Sequence, residues 1–157
     1  MTRASQHSAA RSRASQHLIA AMQAALAAEQ AASYGYGIVG SHLARFAPKF
    51  AAATADCVAH EQARDSLASM ITALGGTPNP AAAAYRLPVR VSTPTQAVGL
   101  AIVLERQVES AYLGMVAAPE PAVRAFGATQ MQAAAVRCAR WSGRSQTFPG
   151  LPGEQAG

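Results

Sequence analysis

Three glutamates stand where alanine-rich helices should be apolar: Glu29 between Leu26 and Ser33, Glu61 between Cys57 and Arg64, and Glu105 between Ile102 and Val108. A carboxylate on an apolar stripe must meet a metal, an arginine or another titratable group, because a buried unpaired charge costs several kcal/mol. A two-metal centre in a helical bundle takes one Glu from each of two helices and a Glu-x-x-His from each of the other two. Two cations need about four carboxylates and two neutral imidazoles facing inward. Glu29 and Glu105 can supply the single glutamates. Glu61 opens the third contribution, but Arg64 stands where its histidine belongs, and the segment from Ala122 to Trp141 holds no Asp, Glu or His. Half of the donor set is missing.

Arginine offers another way to neutralise such a cluster, since it stays protonated and grips carboxylates through parallel N–H bonds. Arg64 and Arg137 can reach the same level of a bundle as the three acids, and Tyr36 and Tyr112 can donate their hydroxyls to carboxylates. The expected centre is a metal-free polar core of Glu29, Glu61, Arg64, Glu105, Arg137, Tyr36 and Tyr112. The competing expectation is a reduced site for one iron or manganese ion on Glu29, Glu61 and Glu105. His60 can join it only if its helix is rotated, and Glu109, four residues after Glu105, is a further candidate ligand. Asp65 reads as part of an exposed face.

Four helices must hold these groups. From Ser15, a possible cap, the residues Leu18, Met22, Leu26, Glu29, Ser33, Tyr36, Gly40 and Leu43 keep the three-and-four spacing of one helix face. The glycines of Tyr34-Gly35-Tyr36-Gly37 suit close approach of a neighbour. Pro48 opens a second helix with the stripe Phe50, Ala53, Cys57, Arg64, Leu67, Ile71, Leu74, closed by Gly75-Gly76. Thr93-Pro94-Thr95-Gln96 combines a threonine cap, a proline in the first turn and a glutamine three residues on. A third helix follows with Val98, Ile102, Glu105, Val108, Tyr112 and Val116. Pro119 and Pro121 end it and start a fourth, with Val123, Phe126, Gln130, Ala133, Arg137 and Trp141 on one face. The helices are expected near residues 15–44, 48–74, 94–117 and 121–142. Residues 1–14 read as a disordered basic tail and residues 143–157, rich in proline and glycine, as an irregular one.

Residues 75–93 contain three prolines and no helical pattern. A second helix of roughly 26 residues is about 39 Å long, and about 19 extended residues can span it. The connection can therefore cross the whole bundle and start the third helix parallel to the second. One long crossover between two helical hairpins is the ferritin-like arrangement, and the fold class is all-α. Tyr36 follows Glu29 by seven residues and Tyr112 follows Glu105 by seven, so the first and third helices look related.

A chain of 157 residues suits one domain, and its alanine content of about a quarter with only 6% aromatics favours packed helices over a sheet. No run of 18 apolar residues suggests a membrane span, and the first residues lack an apolar export core, which points to the cytoplasm. The net charge of +5 gathers at Arg3, Arg11 and Arg13 and at Arg137, Arg140 and Arg144. That distribution does not indicate nucleic acid, and no small-molecule substrate is identifiable. The pentapeptide Arg-Ala-Ser-Gln-His occurs at Arg3 to His7 and again at Arg13 to His17, without a physical explanation. Cys57 and Cys138 are expected to be reduced thiols.

Four pieces together carry a family resemblance: ALAAEQAASYGYGIVG (residues 25–40), AAYRLPVRV (83–91), AAAVRCARW (133–141) and TFPGLP (147–152). The chain resembles an uncharacterised ferritin-like domain family of actinobacteria over nearly everything after Ser15. The resemblance implies a ferritin-like four-helix bundle of unknown function, often without an established metal centre, and brings no catalytic residues. The leading expectation is a non-catalytic interaction or assembly module, homodimeric, with a degenerate metal site and no cofactor. The competing one is a metal-dependent oxidoreductase or iron-handling protein.

Overall fold

The computed structural model describes residues 3–144, with the side chains of Ala9 and of residues 12–144. It consists of α1 (Arg3–Leu43), α2 (Ala47–Ala73), α3 (Pro94–Val116) and α4 (Pro121–Ser142), with no strand among the described residues. The ends of α2, α3 and α4 and the C-terminal end of α1 fall within a residue of the expected positions. The start of α1 does not. Its backbone is helical from Arg3, so Ser15 lies inside the helix and caps nothing. The expected tail of residues 143–157 lies outside the described residues from 145 onward.

Local chemistry explains the ends. The Thr93 side chain accepts from the Gln96 N–H at 3.2 Å, while the Gln96 side chain accepts from Ser92 N–H and Oγ–H at 2.9 and 2.8 Å. Prolines occupy the first turns of α2, α3 and α4, where a missing N–H costs nothing. Gly143, at φ +69, ends α4 in the left-handed conformation.

α1 packs against both α2 and α3, and α3 against α4. Two apolar clusters fill the interior. One joins Leu18, Met22 and Leu26 of α1 to Leu67 and Ile71 of α2, Tyr112 and Met115 of α3 and Val123 of α4. The other joins Tyr36, Val39 and Leu43 to Ala53, Ala97 and Leu100, with Trp141 packed against it. The first cluster therefore holds the ends of α2 and α3, and the second holds their beginnings.

Residues 75–93 pass between these levels along α1. Gln23 donates to Thr77 O at 2.6 Å and accepts from Asn79 N–H at 3.0 Å. Two turns on, Gln30 donates to Asn79 O at 2.9 Å and accepts from the Tyr85 hydroxyl at 3.3 Å. Leu87, Val89 and Val91 then pack on the second cluster. Backbone polar groups that no helix satisfies are thus partly taken up by two glutamines on one face of α1.

Gly35 answers the question raised by its glycine-rich stretch. A Cβ there would lie 2.6 Å from a Leu104 methyl, so the Leu104 side chain of α3 fills the space that the glycine leaves on α1. Gly37 has open space instead.

Candidate functional site: a closed ionic centre

Between the two apolar clusters lie four buried polar side chains: Glu29 of α1, His60 of α2, Glu105 of α3 and Arg137 of α4, with Glu109 buried one turn further along α3 beside the first cluster. Each of the four sits on its helix between residues of the two clusters, so the same 3.6-residue period that buries the leucines buries the charges.

His60 is the bridge. Its Nδ1–H donates to Glu29 Oε2 at 2.6 Å and its Nε2–H to Glu105 Oε1 at 3.1 Å. Arg137 Nε–H is shared between the two Glu105 oxygens, 3.0 Å from each. The Tyr36 hydroxyl donates to Glu105 Oε1 at 2.6 Å, and that of Tyr112 donates to Glu29 Oε1 at 2.8 Å. The seven-residue spacing common to α1 and α3 thus has a reciprocal meaning: the tyrosine of each helix serves the glutamate of the other.

Burial alone would lower the His60 pKa, but its hydrogen bonds to Glu105 and Glu29 and the charges of both outweigh that and raise it to about 9. Burial pushes the Glu105 carboxyl up, yet His60, Arg137 and Tyr36 together hold it below the usual carboxylate range. Burial and then the neighbouring carboxylate push both tyrosine hydroxyls far up, Glu105 acting on Tyr36 and Glu29 on Tyr112. They remain donors. Arg137 is held charged: burial works against it, and the Glu105 charge and hydrogen bond prevail. Glu29 and Glu105 thus meet His60, and Glu105 also meets Arg137.

Two expected members are elsewhere. Glu61 is exposed, and Arg64 pairs at the surface with Asp65, Nε to Oδ1 2.8 Å. The reason is a rotation of α2: its buried stripe is Ala53, Asp56, His60, Ala63, Leu67 and Ile71, not the stripe through Cys57, Glu61 and Arg64. That stripe leaves a long arginine and a glutamate in water and buries an imidazole whose two N–H groups each find a carboxylate. Glu29, Glu105, Arg137, Tyr36 and Tyr112 lie together, and Glu109 is buried one turn from Glu105.

The reading of residues missed Asp56. It is buried, and it takes both the Arg140 guanidinium and, at 2.8 Å, the Trp141 indole N–H. Its signal was its place four residues before His60 and three after Ala53. Cys57 and Cys138 are separate free thiols.

Both nitrogens of His60 already point at different carboxylates, and the Arg137 guanidinium occupies the face of Glu105 that would bind an ion. Among the described residues no group of three or more His, Cys, Asp or Glu is placed to hold a metal ion. Two surface depressions among the described residues lie away from this centre. A depression of about 590 Å³ is lined by Val103, Arg106, Gln107, Ser110 and Ala111, and one of about 210 Å³ by His17, Leu18, Gly114 and their neighbours; no member of the centre lines either. No described helix is long and apolar enough to cross a membrane.

Comparison with curated proteins gives no match. The crystal structure of a conserved hypothetical protein from Mycobacterium tuberculosis is similar, with a TM-score of 0.75 and 32% identity over 81% of this chain and 96% of that one. Residues 21–153 match the family described as a domain of unknown function (DUF4439), and the chain belongs to that family.

Proposed function

We propose that this chain is a ferritin-like four-helix bundle with one long crossover, residues 75–93, in which a hydrogen-bonded ionic network takes the place of metal ions. It serves as a non-catalytic interaction or assembly module of the cytoplasm and works as a homodimer. The observation that carries this reading is His60 standing between Glu29 and Glu105, with both ring nitrogens engaged and Arg137 on the second carboxylate. Such a network is closed to substrate and has no nucleophile or open coordination position, so its physical effect is to fix the register of four helices that carry too many interchangeable alanines. The crossover reading is supported by the shared cluster at the beginnings of α2 and α3 and by the anchoring of residues 77–85 on α1. The exposed Phe46, just before α2, and Phe50 and Val58 in its first half are the contact face we assign to the dimer.

Metal analysis of protein purified without chelator tests the centre. The expected outcome is no stoichiometric transition metal and a melting temperature indifferent to chelators. Stoichiometric iron or manganese with a chelator-sensitive melting temperature would overturn the reading in favour of a metal-dependent oxidoreductase or iron-handling protein. Light scattering tests the dimer, with Phe50→Glu expected to halve the mass.

A further inference from the structure

The exposed side of α2 is divided by charge. Arg45 and Lys49 stand at its beginning, Phe50, Thr54 and Val58 follow, and Glu61 and Asp65 close it, all of them exposed. Phe50, Thr54, Val58, Glu61 and Asp65 keep the three-and-four spacing of one helix face, away from the buried His60. The Thr54 hydroxyl is already satisfied, donating to Phe50 O at 3.0 Å, so the middle of this face is apolar. Nor does α1 overshadow it, since Gly37 has open space around it and a Cβ on Gly40 would stand 3.8 Å from the Phe50 ring. The charges are not balanced within the chain. Among the described residues no ion pair includes Arg45, Lys49 or Glu61, and Arg64 offsets Asp65 alone. The first turn of α2 holds no acid, so two cations stand at a helix end whose dipole favours anions.

We infer that α2 pairs with α2 of a second copy, antiparallel about a two-fold axis near Ala55, so that Arg45 and Lys49 of each chain meet Glu61 and Asp65 of the other. This rests on the homodimer reading above and adds to it the orientation of the partner and the groups that select it. An antiparallel pair centred there sets Arg45 against the partner's Asp65 and Lys49 against the partner's Glu61, with Val58 beside the partner's Ala51. A parallel pair would stack cations on cations. A uniformly acidic or uniformly basic partner would match one end and repel the other, whereas a second copy matches both. The partner's acids also supply the negative charge that the beginning of α2 lacks.

Charge reversal in the full chain, read by sedimentation equilibrium, tests the pairing. Arg45→Glu and Glu61→Lys are each expected to weaken self-association by about tenfold or more, because each sets like charges together twice across the axis. The double variant Arg45→Glu, Glu61→Lys should recover to within about threefold of the parent protein, and self-association of the parent should weaken several-fold between about 0.05 and 0.5 M salt. A parent dimer that neither single change nor salt affects would overturn the α2 pairing and leave the homodimer reading in place. A double variant no tighter than the single ones would overturn the antiparallel register, and a parent protein that is monomeric throughout would overturn both readings.

Discussion

His60 Nδ1 lies 2.6 Å from Glu29 Oε2, the shortest contact of the imidazole and the link that ties α2 to α1 across the bundle centre. It implies a particular dependence on pH. The His60 pKa rises from 6.5 to about 9 on folding. A raised value means that the protonated form stabilises the fold, fully below about pH 6.5, with the contribution lost as pH rises through about 9. A gap of this size corresponds to about 3 kcal/mol, to order of magnitude. The melting temperature should fall between pH 6.5 and 9.5, and His60→Gln should flatten that fall while lowering stability at pH 6. A His60→Gln profile parallel to that of the parent protein would refute the assignment. Glu105, whose pKa is lowered, acts in the other direction: its contribution is present above the unfolded carboxylate value and is lost as pH falls through the folded one.

Arg64 and Arg137 provide a paired prediction. Arg137 is buried against Glu105, whereas Arg64 meets only the exposed Asp65. Arg137→Ala leaves a buried carboxylate short of one cation and should cost about 3–5 kcal/mol. Arg64→Ala should cost less than about 1 kcal/mol, because exposed pairs contribute little. Urea denaturation of the two variants measures both. Equal costs would contradict the assignment of the two side chains.

How far the sequence reveals this centre depends on the helix. In α1 and α3, Leu26, Tyr36, Val108 and Tyr112 are large enough to fix the buried face, so Glu29 and Glu105 are legible as buried, and the paired tyrosines with them. The beginnings and ends of α2 to α4 are equally legible, because Pro48, Pro94, Pro121 and Gly143 punctuate the chain. α2 is different. Ala51, Ala52, Ala53, Ala55, Ala59, Ala63 and Ala68 leave several faces comparably apolar, and Ala53, Leu67 and Ile71 fit a stripe through His60 as well as one through Glu61. The choice is made by partners on other helices: an imidazole can bridge two carboxylates already fixed by α1 and α3, which a third carboxylate cannot. Asp56 was hidden for the same reason, its guanidinium and indole partners being 84 and 85 residues away.

The glycines separate packing from chance. A Cβ on Gly127 would stand 2.8 Å from Met115 Cβ and 3.3 Å from its backbone carbon, so α3 and α4 would have to part. Gly127→Ala should cost about 1–3 kcal/mol. Gly37 is helical with nothing within 4 Å of a new Cβ, so Gly37→Ala should stabilise by about 0.5–1 kcal/mol. Opposite shifts in melting temperature are expected. A stabilising Gly127→Ala would contradict the close approach of the two helices.

Asp56 allows a local optical test, since the chain has a single tryptophan and Asp56 accepts its indole N–H at 2.8 Å. Trp141 also packs on the second apolar cluster and lies 6.4 Å, centroid to centroid, from the Tyr36 ring. Asp56 is buried while Arg140 is half exposed, so the arginine can return to water if the pair is broken, and the cost then falls mainly on the orphaned indole N–H. Asp56→Ala should therefore destabilise by about 1–3 kcal/mol, less than the loss of Arg137, and should shift tryptophan emission to the red as the end of α4 loosens. Asp56→Asn retains an acceptor for the indole and should leave the emission near that of the parent protein while still losing the charge pair. A red shift of equal size in both variants would mean that the arginine, not the indole contact, holds the end of α4 in place.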